Sequence, residues 1–256
     1  MEIFLDTAKI EEIREASAMG LITGVTTNPT LMMKAGRQDY KEVTREICYL
    51  VQDRISTEVV HMDAEGMLAE AKEIATWSPH VVVKIPSIPE GLKAMSLISQ
   101  EEVDLDRLCQ GCPWSGQCDT DIATARDYAS SWGIRINATL VFSPNQALFA
   151  ANAGASFVSP FVGRLDDIGE DGMQVVADTV EIFSTYGIET QVLAASIRHP
   201  LHITQAALAG ADIATVPYDV LMKALKHPLT DAGVEHFLAD WKKIAQGGKD
   251  NEVRPS

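Results

Sequence analysis

The sequence predicts an α/β protein folded as a (β/α)8 TIM barrel, a single domain with an extra C-terminal helix. Short β-rich runs alternate with longer amphipathic segments almost from end to end, the signature of parallel βαβ units. The alternation completes eight rounds, which suits a closed barrel better than an open doubly wound sheet, the alternative topology. At 256 residues, 46% hydrophobic and 22% charged, the chain also has the size of one barrel.

Strands are expected at residues 3–6, 22–26, 56–60, 81–85, 135–140, 157–160, 191–195 and 212–216. Several are continuous apolar runs, because a strand with helices outside and packed side chains inside is buried on both faces. Helical patterns fall at 9–19, 40–51, 64–77, 143–151, 172–186, 201–209 and 220–225, and another helix starts near Gly91. Ser143 and Pro144 read as an N-cap followed by a proline at the first helical position. After the last round, 230–244 reads as the extra helix. Val234, Phe237, Leu238 and Trp241 lie along one of its faces, which must cover the barrel bottom or a neighbouring subunit. The barrel domain spans 1–246, and the polar residues 247–256 are expected to form a disordered tail. One region breaks the rhythm: 100–120 reads as an insertion into or after the fourth helix, lying outside the barrel, with a helical pattern resuming at 121–132.

A formal net charge of −15 repels phosphate backbones and anionic lipid. Nucleic acid and membrane surfaces are therefore not expected as partners, and an anionic substrate must be met by a few placed cations. No apolar run approaches the roughly 20 residues of a membrane span. The opening MEIFLDTAKI lacks the basic and apolar regions of a secretory signal, so a cytoplasmic protein is expected. HExxH, GxGxxG and GxxxxGK[ST] are absent, which leaves metalloprotease, dinucleotide and P-loop chemistry without their usual handles. His199 and His202, three apart, read as surface or packing residues.

Catalytic groups of such barrels sit at the carboxyl ends of the strands, and polar residues recur there. Lys84 stands inside the apolar VVVKIP, where an ammonium is costly unless it is paired or loses its proton. A neutral lysine is a nucleophile suited to Schiff-base formation, whereas a lysine paired to a core carboxylate is structural. The strands that carry Asp6 and Glu58 would bring both carboxylates towards the same interior, where they can move the protons that carbonyl condensation and aldol cleavage require. Asn137 and Thr139 share one strand face by period-two spacing. Thr26, Asn28, Ser159, Phe161 and Ser196 complete the candidate substrate contacts. Asn28, before Pro29, reads equally as a helix cap. Arg164 and Arg198 follow strands six and seven, where a phosphate is commonly held.

FLDTA (4–8), GVTTNPTL (24–31), VVVKIP (81–86), NATLVFSPNQAL (137–148), SPFVGRLDD (159–167), LAASIRHP (193–200) and AGADIATVP (209–217) together resemble the small-subunit transaldolase and fructose-6-phosphate aldolase family. The resemblance spans nearly the whole chain except the insertion and the tail. It implies transfer of a dihydroxyacetone unit between sugar phosphates of the pentose phosphate pathway, from fructose 6-phosphate or sedoheptulose 7-phosphate to an aldose phosphate. Lys84 would carry the Schiff base, Glu58 and Thr139 would hold a proton-shuttling water, and Asp6 would take the C4 hydroxyl proton. Asn28, Asn137 and Ser196 would bind hydroxyls, and Arg164 and Arg198 the phosphate. No metal or organic cofactor is implied. The aldolase branch carries glutamine and tyrosine where this chain has Glu58 and Phe161, which favours transfer over free aldol cleavage. The alternatives are a free aldolase, or a transaldolase for a modified, for example sulfonated, ketose. The resemblance also implies a homo-oligomer, a pentamer or decamer in which the C-terminal helix packs on a neighbour.

The insertion departs from the family pattern. Cys109, Cys112 and Cys118 have the spacing of three metal ligands or of a redox-sensitive loop, and a metal- or redox-sensing barrel is the third hypothesis. Cys48, on the helix at 40–51, is expected to lie too far around the barrel to join them.

Overall fold

The computed structural model describes residues 1–114 and 133–247 and, between these stretches, Thr124, Asp127 and Ser130. The strands are β1 (Glu2–Asp6), β2 (Gly24–Thr26), β3 (Arg54–Glu58), β4 (Val81–Pro86), β5 (Ile136–Val141), β6 (Phe157–Pro160), β7 (Gln191–Ala194) and β8 (Ile213–Val216). They pair in parallel in sequence order, and β1 pairs with β8 to close the barrel. The helices are α1 (Ile10–Ala18), α2 (Pro29–Lys34), α3 (Tyr40–Val51), α4 (Ala64–Ala75), α5 (Pro89–Ile98), α6 (Pro144–Asn152), α7 (Val162–Asp166), α8 (Gly172–Tyr186), α9 (Pro200–Leu208), α10 (Tyr218–Leu225) and α11 (Pro228–Gly247). The short α2 and α7, each starting at the mouth of the barrel, were not foreseen from periodicity, which needs more than one or two turns to show.

Period-two alternation sorts the strand side chains into two cores. Leu5, Val25, Ile55, Val83, Ile85, Ile136 and Val158 face outward into the layer packed under the helices. Phe4, Val82, Phe157, Leu193 and Ile213 fill the lumen as a separate apolar plug. Gly24 makes room for that plug, since a Cβ there would stand 2.6 Å from the Phe4 ring and from the Arg54 carbonyl oxygen. Two residues further along four of these strands, the inward positions become Asp6, Lys84, Ser159 and Thr215. The plug is thus the floor on which the polar site rests.

The insertion packs against the outside of the barrel, by the C-terminal end of α4 and so away from the mouth. The Cys109 N–H donates to the Thr76 carbonyl at 2.9 Å, and Lys72 pairs with Glu101 at 2.6 Å. Glu73 pairs with Lys41 at 2.9 Å and with Arg107, and these cations hold its carboxyl down at about 2. The insertion also reaches α3. Arg45 Nη2 donates to the Gln110 carbonyl at 2.8 Å, and the Tyr49 and Trp114 rings stack with centroids 6.0 Å apart. The expectation that Cys48 stands apart from the insertion is therefore corrected: the loop doubles back across the helix that carries it. Burial pushes the Cys48 thiol up to about 12, with Cys109 and Cys112 close enough to add to the effect. Among the described residues no three His, Cys, Asp or Glu side chains stand together as ligands for a metal ion. Cys118, the helix expected at 121–132 (apart from the helical Thr124, Asp127 and Ser130) and the tail from 248 onward lie outside the described residues.

Candidate active site

Strand register brings the candidate residues together. Glu58 lies beside Lys84, Lys84 beside Asn137, Pro86 beside Thr139, and Asp6 beside Thr26. Lys84 is 5% exposed and occupies the wall of a cavity of about 200 Å³ at the carboxyl ends of the strands. Its Nζ donates to the Thr27 carbonyl at 3.0 Å and stands 3.2 Å from Glu58 Oε2. The charge is thus paired, which meets the cost of burying it, while the side chain remains at the cavity surface. Glu58 is the more exposed partner of the pair, its side chain 17% exposed against 6% for Lys84. Its backbone N–H donates to the Tyr40 hydroxyl at 2.7 Å, and burial pushes that phenol up to about 12.

From β1, Asp6 lines the same cavity and accepts from the Thr26 hydroxyl at 2.7 Å, while the Thr26 and Thr215 hydroxyls lie 2.6 Å apart. Burial raises the Asp6 carboxyl above its ordinary 3.8, opposed by the Thr26 hydrogen bond and then by Lys84, Lys34 and Arg198. A carboxyl held in this way can both accept and return a proton.

Asn137 is fixed in orientation: its Nδ2 donates to Ser56 Oγ at 3.1 Å, and its Oδ1 accepts from Ser159 Oγ at 2.6 Å. Thr139, two residues on, is 1% exposed and its hydroxyl has no hydrogen-bond partner among the described residues. An orphaned buried hydroxyl on a polar cavity wall is costly unless something else occupies the cavity, and a water or substrate oxygen fits that need. Immediately after Thr139 the strand bulges, with Leu140 at φ 56°, and the register with β6 shifts.

Asn28 serves as the helix cap and also faces the cavity. Its Oδ1 caps α2 by accepting from the Leu31 N–H at 2.9 Å, and its side chain also lines the cavity. Phe161 packs edge-on against Phe142, with centroids 5.7 Å apart, and the Arg164 guanidinium lies 5.0 Å from the Phe161 ring. Arg164 and Arg198 both line the cavity, and Arg198 is tied to Asp167 at 2.9 Å. Ser196 sits at φ 59°, the left-handed region that serines rarely adopt, and its carbonyl accepts from the Gly163 N–H at 3.0 Å. Gly163 is required for that approach: a Cβ there would stand 2.3 Å from the Ser196 oxygen and 2.5 Å from Arg198.

Two contributors escape a sequence reading. His202 is buried, accepts from the Arg198 N–H at Nδ1 (3.3 Å), and has Nε2 3.1 Å from Asp166, so it props the loop that carries Arg198. Burial lowers its pKa, which keeps Nδ1 available as an acceptor. Lys34, at the end of α2, lines the cavity as a fourth cation, beside Lys84 and the two arginines. Asn28-Pro29, a cap followed by a proline at the first helical position, was the available signal for its helix.

The transaldolase/fructose-6-phosphate aldolase family model matches residues 3–248. The chain is 54% identical over 244 residues to a probable transaldolase of Desulforudis audaxviator, covering 95% of this chain and 99% of that one. It is 51% identical over 244 residues to one of Heliobacterium modesticaldum, with the same coverage. With one of Methanococcus maripaludis the identity is 50% over 242 residues, covering 94% and 98%. Among solved structures, thiamine phosphate pyrophosphorylase from Pyrococcus furiosus aligns with a TM-score of 0.47 at 16% identity over 84% of this chain and 85% of that one, too distant a likeness to bear on function. The match along almost the whole length, on a closed barrel with a paired lysine in its mouth, means that the chain belongs to the transaldolase/fructose-6-phosphate aldolase family.

Proposed function

We propose that the chain is a transaldolase that moves a dihydroxyacetone unit from a ketose phosphate to an aldose phosphate through a Schiff base on Lys84. The observation that carries this reading is Lys84 itself, a lysine at the surface of a polar cavity, paired to Glu58 at 3.2 Å and sharing that cavity with Asp6. Transfer of the Lys84 proton to Glu58 frees the amine to add to the C2 carbonyl, and water leaves as the iminium forms. The hydroxyl of Thr139, which has no hydrogen-bond partner among the described residues, would hold that water. The iminium draws the electrons of the C3–C4 bond into an enamine while Asp6 takes the C4 hydroxyl proton. The aldose phosphate departs, and the enamine attacks the carbonyl of a second aldose phosphate by the reverse steps.

Asn28, Asn137 and Ser196 would bind the hydroxyls of the three-carbon unit, with Thr26, Ser159 and Phe161 shaping its pocket. Arg164 and Arg198 would hold the phosphate. This reading includes a place in the pentose phosphate pathway and in the cytoplasm. It also includes a homo-oligomer, supported by the apolar face of α11: Phe237 is 72% and Trp241 66% exposed, so nothing among the described residues covers it. That face does not cover the barrel bottom, one of its two expected roles.

The test is borohydride reduction in the presence of fructose 6-phosphate, followed by peptide mass mapping. A reduced adduct on Lys84 is expected. No adduct, or an adduct on another lysine, overturns the mechanism. Turnover with and without erythrose 4-phosphate separates transfer from free aldol cleavage: transfer requires the acceptor.

A further inference from the structure

Lys34 stands at the carboxyl end of a six-residue helix whose cap, Asn28, is itself a cavity residue. Helix and cation are therefore positioned by the site. Besides Lys84, three cations line the cavity, and they differ in how they are engaged. Arg198 is held by Asp167 at 2.9 Å, and Arg164 lies against the Phe161 ring at 5.0 Å. Lys34 has no hydrogen bond or ion pair among the described residues. Lys34 and Arg198 both exert their field on Asp6, which lies between the β2 and β7 sides of the closed ring. In a chain of net charge −15, exposed lysines have many carboxylates to pair with. An unpaired lysine facing a cavity that already holds two guanidiniums meets mutual repulsion, which an incoming anion would relieve.

We propose that Lys34 is a specificity-determining residue that closes the phosphate grip from the side opposite Arg164 and Arg198, contacting the terminal phosphate of both donor and acceptor sugars. This rests on the transaldolase reading. The chemistry divides between the two sides. Planar guanidiniums fixed by Asp167 and Phe161 present directed forks at one place, whereas an ammonium on a four-carbon stem is a mobile point charge. A fixed fork suits one distance from Lys84. A mobile cation follows the phosphate as the sugar lengthens from a short acceptor to a longer donor. Lys34 also lends its field to Asp6, which gives an alternative role that the test separates from this one.

The experiment compares the wild-type protein with Lys34→Gln and Lys34→Arg, after thermal melts have shown that the variants fold. KM is measured for an aldose phosphate and for the same aldose without its phosphate, and inorganic phosphate serves as an inhibitor. Lys34→Gln is expected to raise the KM of the phosphorylated acceptor about tenfold more than that of the unphosphorylated one, the size of one charge-assisted hydrogen bond in a partly exposed site. It should weaken inhibition by phosphate by a similar factor, with Lys34→Arg recovering most of the loss. Equal changes for both acceptors, or no change in phosphate inhibition, overturn the proposal. So does a shift confined to the pH profile of kcat, which would assign Lys34 to Asp6 instead. Failure of the Schiff-base reading appears separately, as a wild-type protein that forms no adduct on Lys84.

Discussion

Gly163→Ala tests how the fold holds the two arginines of the site. A methyl group at 163 would lie 2.3 Å from the Ser196 carbonyl oxygen and 2.5 Å from Arg198 Cγ and Nε, where ordinary contact begins at 3.4 Å. The first turn of α7 and the loop after β7 must therefore part by about 1 Å, and the obstructing oxygen is backbone. Alanine in a helix gains up to about 1 kcal/mol over glycine. Against that stand about 1–3 kcal/mol for overpacking and about 1 kcal/mol for weakening the 3.0 Å hydrogen bond from Gly163 N–H to Ser196 O. The clash wins, with a net loss of about 1–3 kcal/mol in urea unfolding. Because Arg164 follows on α7 and Arg198 on the β7 loop, the same displacement separates the two arginines proposed to hold the phosphate. The KM for fructose 6-phosphate should rise about tenfold, while borohydride still traps unphosphorylated dihydroxyacetone on Lys84. A variant as stable as wild type with unchanged KM would refute the account of the close approach.

Three further outcomes are expected. Burial raises the Asp6 carboxyl, so the folded protein binds a proton more tightly there than the unfolded chain does, and stability falls as pH rises from the ordinary 3.8 through the raised value. Asp6→Asn should accordingly raise the melting temperature at pH 7 while lowering kcat by about 10²–10⁴ and removing the acid limb of the kcat profile; a lower melting temperature would contradict the direction. Thr139→Val removes a buried hydroxyl that has no hydrogen-bond partner among the described residues, so stability should be unchanged or up by about 1 kcal/mol in urea unfolding while kcat falls, and a stability loss would reveal a structural hydrogen bond instead. Phe237→Asp combined with Trp241→Asp should lower the mass measured by light scattering, whereas an unchanged mass removes the assigned role of α11.

What the sequence determined by itself is local or periodic. Alternation of strand and helix, completed eight times, fixed the barrel, and the cost of an ammonium inside VVVKIP singled out Lys84 whatever its neighbours were. Period-two spacing placed Asn137 and Thr139 on one face, and both line the cavity. Ser143 caps α6 by accepting from the Gln146 N–H at 3.3 Å, as its place before Pro144 implied. The tertiary structure alone decided which partner each group found. Glu58 meets Lys84 only because β3 and β4 pair in one register, and Lys34 reaches the cavity only because barrel closure sets the β2 side across from β7. Cys48 comes under the insertion only because the loop doubles back over α3, a path that no spacing in the chain encodes. Periodicity and burial cost are properties of a few consecutive residues, whereas pairing, closure and loop path depend on contacts between residues far apart in the chain.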